Sequence, residues 1–220
     1  MLHMYALVRR PAALPALAGI DDAPLRAVHA ADGVDAIVSE TSGQPSAPTE
    51  AAILAHARVV EAVAAANESV LPARFTGGSS DEDDLRRRLE GRAAQLREAL
   101  VHVEGCVELG LRVLPAARDE RSQAASGSEY MRRRLDEIAR AEELARSLHG
   151  ALAGTARESS CNVLARRDVL LTGAYLVPRD DVERFRTTLH DAEAELAGVT
   201  LVTTGPWPPY SFALLEADGT

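Results

Sequence analysis

Apolar residues in the first half of the chain occur in short runs, a pattern typical of β-strands, with helical stretches between them. The predicted strands cover Leu2–Val8, Leu25–Ala30, Val34–Glu40 and Val70–Phe75. Asp32-Gly33 favours a hairpin turn between the second and the third of these strands. After a loop over Gly43–Pro48, Thr49 predicts the N-cap of a helix. The apolar face of that helix would carry Ile53, Ala57, Val60 and Ala64.

A second helix is predicted over residues 81–103, where apolar residues recur at intervals of three and four. Its apolar stripe comprises Leu85, Leu89, Ala93, Leu96 and Leu100. Ser80 and Asp83 have the spacing of a capping box at the start of this helix. The acidic cluster Asp81–Asp84 resembles a cation site, but carboxylates in a first helical turn also complement the helix dipole. We therefore interpret the cluster as a helix start.

The second half of the chain shows a similar succession of predicted strands and helices. A strand over Cys106–Leu114 leads through a polar linker, Pro115–Ala125, into a long helix that Ser126 and Glu129 would cap. The stripe of this helix comprises Met131, Leu135, Ile138, Ala141, Ala145, Leu148 and Leu152. Two further strands are predicted over about Arg157–Ala165 and Val169–Val177, around a turn at Arg166-Arg167-Asp168. Asp180 and Glu183 would cap the next helix, whose apolar face comprises Val182, Phe185, Leu189, Ala192 and Leu196. The last predicted strand covers Val199–Thr204.

The order of elements in the second half, β-α-β-β-α-β, is the split ferredoxin-like plan. The first half would follow a related plan if the connection Pro11–Gly19 contained one helical turn. The sequence therefore predicts an α+β protein of two tandem small domains. The N-terminal α+β domain would cover residues 1–103, with the helix at 81–103 as a connection, and the ferredoxin-like domain would cover residues 104–220.

Charge argues against nucleic acid as a partner. The chain has a formal net charge of −9, which repels a phosphate backbone. Its 24 basic residues are all arginine, and two Arg triplets, Arg86–Arg88 and Arg132–Arg134, lie in helical patterns beside acidic residues. Such triplets are more often solvated ion-pair faces than binding sites. We expect no nucleic-acid partner.

Residues that could carry chemistry are sparse. The six histidines show no metal-binding spacing, and Cys106 and Cys161 are interpreted as buried free thiols. The sequence contains no nucleophile elbow, dinucleotide fingerprint or P-loop, and the absence of lysine removes Schiff-base chemistry. We expect no enzyme, no cofactor and no metal. The N-terminus lacks the features of a signal peptide and no apolar run is long enough to span a bilayer, so we expect a cytoplasmic protein without a membrane segment.

The most unusual segment is Gly205–Phe212, which contains three prolines and three aromatic residues. Because proline fixes φ and lacks an N–H donor, we expect the chain to leave the sheet after Val202. Two interpretations remain open. The segment is either a strap whose aromatic residues cover the core or an aromatic surface for a partner. A mixture is favoured, in which Trp207 is mainly buried against the sheet of the second domain.

Gly205-Pro206-Trp207-Pro208-Pro209-Tyr210-Ser211-Phe212 resembles the C-terminal signature of the gas vesicle protein GvpF/GvpL family. Stretches with the same resemblance occur in order along nearly the whole chain: Tyr5–Val8, Val70–Phe75, Glu104–Val113, Gly127–Arg133 and Gly173–Val177. The residues that the resemblance singles out, as partner-binding or structural signature positions, are Trp207, Tyr210, Phe212, Arg74, Tyr130 and Tyr175.

The resemblance implies a non-enzymatic accessory protein associated with gas vesicles. Such a protein would bind the hydrophobic shell protein GvpA, assist vesicle nucleation and assembly, and limit the aggregation of GvpA. Other gas vesicle accessory proteins are further expected partners. This task requires an exposed apolar or aromatic patch on an otherwise acidic, soluble protein. The alternative is an enzyme or small-ligand-binding domain on a ferredoxin-like fold.

Overall fold

The computed structural model describes residues 1–41, 49–75, 78–115, 126–164, 166 and 168–213. In these residues the chain has a mixed α+β fold with two antiparallel sheets and five α-helices. The chain divides into two compact units, Met1–Cys106 with the residues from Trp207 onward, and Val107–Pro206. The loop expected at Gly43–Pro48 and the linker after Pro115 lie outside the described residues.

The sheet of the first unit is built around its first strand. Its strands are β1 Leu2–Arg9, β2 Arg26–Ala31, β3 Val34–Glu40, β4 Val70–Pro72 and β5 Gly78–Ser79. The order is β2-β3-β1-β4, and β5 also pairs with β1. Leu7 stands opposite Ala36 on one side and Leu71 on the other. The four predicted strands are confirmed, although β4 ends at Pro72 rather than at Phe75.

The connection between β1 and β2 contains one 3-10 turn, Ile20–Asp22, directly after the predicted Pro11–Gly19 segment. The hydroxyl group of Tyr5 fixes this turn, because it accepts a hydrogen bond from the Ile20 N–H at 2.8 Å. The same hydroxyl lies 2.8 Å from Ser39 Oγ. A buried side chain of β1 therefore holds the connection against the sheet.

The helices of the first unit are α1 Glu50–Ala66, α2 Glu82–Glu90 and α3 Ala93–Val103. Thr49 caps α1 as predicted, since its side chain accepts the N–H of Ala52. The predicted apolar face of α1 is partly wrong, because Ile53 is exposed and the buried residues are His56, Val59, Val60, Val63 and Ala64. The buried residues of α1 begin with a histidine, a residue type that an apolar pattern does not mark.

The predicted helix over residues 81–103 is two helices, separated at Gly91 and Arg92. Glycine destabilises a helix interior by roughly 1 kcal/mol relative to alanine, so it is a favourable position for the break. The start of α2 is capped by Asp81 and not by Ser80, because the Asp81 side chain accepts the N–H of Asp84 at 2.8 Å. That hydrogen bond lowers the pKa of Asp81. The acidic cluster therefore acts as a helix start.

The second sheet contains β6 Cys106–Pro115, β7 Glu158–Val163, β8 Leu171–Pro178 and β9 Val199–Trp207, in the order β7-β8-β6-β9. In both sheets the strands, numbered along the chain, therefore lie in the relative order second, third, first, fourth. The hairpin between β7 and β8 is closed by hydrogen bonds from Leu164 N to Leu170 O and from Arg166 N to Val169 O, each 2.9 Å.

The helices of the second unit are α4 Gly127–Leu152 and α5 Val182–Glu195. Ser126 caps α4 as predicted by accepting the N–H of Glu129. The predicted cap of α5 is not observed, because a 3-10 turn at Arg179–Asp181 precedes the helix and no side chain caps it. The core of this unit is formed by buried residues of β6, α4, β8 and α5, including Leu111, Leu148, Tyr175 and Phe185.

Candidate functional site: the C-terminal aromatic segment

The signature segment begins inside a strand. The structure corrects the expectation that the chain leaves the sheet after Val202, because β9 continues to Trp207. β9 lies at the edge of its sheet, where proline is tolerated since the missing N–H has no ladder partner to lose. Gly205, which precedes Pro206, has a φ of 103° that glycine adopts without a Cβ clash.

Beyond β9 the chain folds into a compact turn. The N–H of Tyr210 donates to Pro208 O at 2.8 Å, and the N–H groups of Phe212 and Ala213 donate to Pro209 O at 3.2 and 3.0 Å. The side chains of Pro208, Pro209 and Phe212 are buried. These residues anchor the segment in the manner of a strap, and the segment belongs to the first compact unit from Trp207 onward.

The other two aromatic residues of the segment face the surface. Trp207 is 45% exposed and Tyr210 is 39% exposed. The prediction that Trp207 is mainly buried against the sheet of the second domain is therefore wrong. Each of the two earlier interpretations describes part of the segment, because Phe212 and the prolines form the strap while Trp207 and Tyr210 form an aromatic surface on it. We call Trp207 and Tyr210 the aromatic surface.

The structure separates the remaining signature residues. Arg74 is exposed, two residues beyond the end of β4, and Tyr130 is exposed in the first turn of α4. Tyr175 is buried in β8, where its ring packs edge-on against Phe185 with a centroid distance of 5.1 Å. Burial and the nearby Cys161 raise the pKa of Tyr175 to about 12. Tyr175 is thus a core residue, whereas Arg74 and Tyr130 are available at the surface.

A partly buried histidine pair in the first unit was not predicted. His3 of β1 and His56 of α1 are joined by a hydrogen bond of 2.8 Å between His3 Nε2 and His56 Nδ1. His56 Nε2 donates to the carbonyl oxygen of Ala73 at 3.0 Å, so His56 Nδ1 accepts the proton of His3. The rings of Tyr5 and Phe75 surround the pair. Both histidines were visible in the sequence, but their pairing depends on the strand and helix meeting in three dimensions.

Burial governs the protonation of this pair. Burial, with a smaller contribution from the charge of His56, lowers the pKa of His3 to about 4. Burial also lowers the pKa of His56. Both rings are therefore neutral near pH 7. Within the described residues no group of three or more His, Cys, Asp and Glu side chains is arranged to hold a metal ion.

Neither cysteine of the described residues forms a disulfide bond, and Cys106 is buried whereas Cys161 is half-buried. Burial raises the pKa of Cys161, which disfavours the reactive thiolate. Among the described residues, no helix combines the length and the apolar composition that crossing a bilayer requires.

The family model described as "Gas vesicle synthesis protein GvpL/GvpF" matches residues 1–214. The chain belongs to the GvpL/GvpF family. It is 34% identical over 191 residues to gas vesicle protein L of a Streptomyces species, covering 74% of this chain and 70% of that protein. It is 27% identical over 181 residues to gas vesicle protein F1 of Halobacterium salinarum, covering 81% of this chain and 76% of that protein.

A solved structure shares the fold of this GvpL/GvpF family member. The crystal structure of the gas vesicle protein GvpF from Anabaena sp. PCC7120 has a TM-score of 0.83, with 98% of this chain and 97% of that chain covered. The sequence identity is 18%. At this identity the likeness establishes the fold, and the function of the chain is argued from its family and its surface.

Proposed function

We propose that this GvpL/GvpF family member is a non-enzymatic accessory protein that binds the gas vesicle shell protein GvpA and assists vesicle nucleation and assembly. It acts in the cytoplasm, associated with the growing vesicle, and limits the aggregation of GvpA. Other accessory proteins of vesicle assembly are further partners. The observation that carries the proposal is the aromatic surface, formed by Trp207 at the end of β9 and Tyr210 in the turn anchored by Phe212.

The geometry of the turn supports binding to an apolar subunit. Aromatic side chains bury a large area on contact, about 150–250 Å² each, and lose little side-chain entropy when they do so. The prolines and the hydrogen bonds to Pro208 O and Pro209 O already order the backbone, so association orders few additional bonds. Trp207 and Tyr210 are therefore suited to receive an apolar partner without rearrangement.

Charge supports the role of keeping that partner dispersed. The formal net charge of −9 makes complexes of this chain repel one another. A hydrophobic shell subunit covered at one face by an acidic protein would have less apolar surface available for self-association. The proposed role of this protein therefore requires only binding to the shell subunit and a negative net charge, and it includes no enzymatic step.

The architecture in this proposal is two tandem small domains that divide near residue 103, the C-terminal one ferredoxin-like and the N-terminal one a related α+β unit. The common strand order of the two sheets supports it, and so does the 3-10 turn Ile20–Asp22, which stands where the second half has α4. The aromatic surface lies at the end of β9 and in the turn that follows it, because Trp207 is the last residue of that strand.

The test is Trp207→Ala in cells that assemble vesicles, with GvpA recovered by pull-down of the tagged protein. Because Trp207 is already exposed, we expect little change in the thermal transition and at least a tenfold loss of GvpA capture, about 1.4 kcal/mol. Leu54→Ala, an exposed apolar residue of α1, is the matched control and should leave capture unchanged. Full GvpA capture by a folded Trp207→Ala protein would refute the proposal.

A further inference from the structure

The long helix α4 extends beyond the core that buries it. Its apolar stripe is continuous in the sequence, but Ala141, Ala145, Leu148 and Leu152 are the buried residues of the helix. In the first half Tyr130, Met131 and Leu135 are 55%, 58% and 62% exposed. The expectation that Met131 and Leu135 belong to the buried face is therefore wrong, and two of the seven stripe residues are left at the surface.

The exposed side chains lie on one side of the helix. At 3.6 residues per turn, Tyr130, Met131 and Leu135 fall within about 140° of the helix circumference. Full burial of a large apolar side chain is worth roughly 1.5–3 kcal/mol, so a surface with three of them together gains substantially from a partner. We call these three residues with the neighbouring Arg132 the α4 surface.

The α4 surface differs in charge from the rest of the chain. Residues 127–140 contain four arginines and three carboxylates, a net charge of +1 in a chain of −9. Arg133 pairs with Glu129, and Arg134 pairs with Glu137. Arg132 and Arg140 are exposed and form no ion pair with any residue that the structure describes. Asp136, one turn beyond Arg132, is exposed and likewise forms no ion pair with a described residue, so the arginines exceed it by one positive charge beside the exposed apolar residues.

We propose that the α4 surface docks an amphipathic helix of another protein whose apolar stripe is flanked by Asp and Glu. The apolar stripe of the partner would cover Tyr130, Met131 and Leu135, as in the packing of an amphipathic helix against an apolar face. Its carboxylates would meet Arg132. A second copy packed through its own α4 fits less well, because it would bring two segments of net charge +1 together and place no excess of carboxylates against Arg132. This surface is additional to Trp207 and Tyr210, and it belongs to the second compact unit.

The test uses two designed, fluorescein-labelled helical peptides with the same leucine stripe, one flanked by Glu and the other by Lys. Binding to the full-length protein is followed by fluorescence anisotropy. We expect the Glu peptide to bind at least about tenfold more tightly than the Lys peptide, with an affinity that falls as salt is added. Met131→Gln with Leu135→Gln should weaken Glu-peptide binding about tenfold or more, and Arg132→Gln should reduce its salt dependence.

The matched control is Ile53→Gln with Leu54→Gln, an exposed apolar pair on α1, which should bind the Glu peptide like the unchanged protein. Trp207→Ala should also leave this binding intact, which separates the α4 surface from the proposed function. Circular dichroism melts confirm that each variant is folded. Absence of Glu-peptide binding, equal binding of the two peptides, or an equal loss in the control pair would overturn the proposal. The proposal would also be overturned if the protein self-associated and Met131→Gln abolished that self-association.

Discussion

At the scale of single residues, the least predictable feature is the histidine pair. An apolar pattern treats histidine as a polar interruption, yet His56 is the first buried residue of α1 because His3 and the Ala73 carbonyl satisfy both of its ring nitrogens. A buried polar group without such partners would be strongly destabilising. The burial of His56 therefore depends on residues far away in the sequence, and no local signal marks it.

The pair predicts a pH dependence of stability. Both pKa values are lower in the folded chain than the ordinary value of about 6.5, so the unfolded chain takes up protons first as the pH falls. Stability should be complete above pH 6.5 and should decrease as the pH falls towards the folded pKa of His3, about 4. For a partly solvated ring we expect a loss on the order of 2 kcal/mol.

Urea unfolding at several pH values measures this loss. His56→Gln should reduce the decrease between pH 6.5 and 4, because it removes the lowered pKa of His56 and the smaller of the two causes that lower the pKa of His3, while His190→Gln, at an exposed position of α5, is the matched control. An unaltered pH profile in His56→Gln would contradict the assignment of the pair.

At the scale of elements, the sequence predicts most strands and helices, and it predicts the buried side of α2, α3 and α5 but only part of the buried side of α1 and α4. Periodicity identified the stripe of α4, yet only the residues from Ala141 onward face a sheet. Burial depends on how far the packed sheet extends, which is a tertiary property. In the same way, β9 includes Pro206 because it is an edge strand, where proline is tolerated. The edge position of a strand follows from the order of strands in the sheet, which is again a tertiary property.

Two glycines, Gly91 before α3 and Gly105 after it, should respond oppositely to substitution by alanine. A Cβ at Gly91 or at Gly105 would meet no atom within 4 Å, so sterics do not distinguish them. Gly91 has ordinary helical angles, with φ −63°, whereas Gly105 has a φ of +68°. We expect Gly91→Ala to stabilise the chain by about 0.5–1 kcal/mol and Gly105→Ala to destabilise it by about 1–2 kcal/mol. Denaturant midpoints of the two variants measure both effects, and a shift in the same direction for both would contradict the argument.

At the scale of the whole molecule, the chain returns to its first unit after completing the second. Residues from Trp207 onward group with Met1–Cys106, whereas the sequence predicted them as part of a domain over residues 104–220. The proline and aromatic residues indicate an unusual segment, but they do not indicate which of the two cores the segment joins. Phe212, the buried aromatic residue of this segment, therefore links the end of the chain to the unit that begins it.

Phe212→Ala tests this assignment. Truncation of a buried phenylalanine costs about 3–5 kcal/mol, and the loss should fall first on the unit that contains the residue. Native-state hydrogen exchange should therefore accelerate in the strands β1, β3 and β4 of the first unit, while β8 in the second unit keeps its protection. Phe185→Ala, in the core of the second unit, is the matched control and should show the reverse distribution. If Phe212→Ala instead exposed β8 before β1, the end of the chain would stabilise the second unit, and the aromatic surface would have to be assigned to that unit as well.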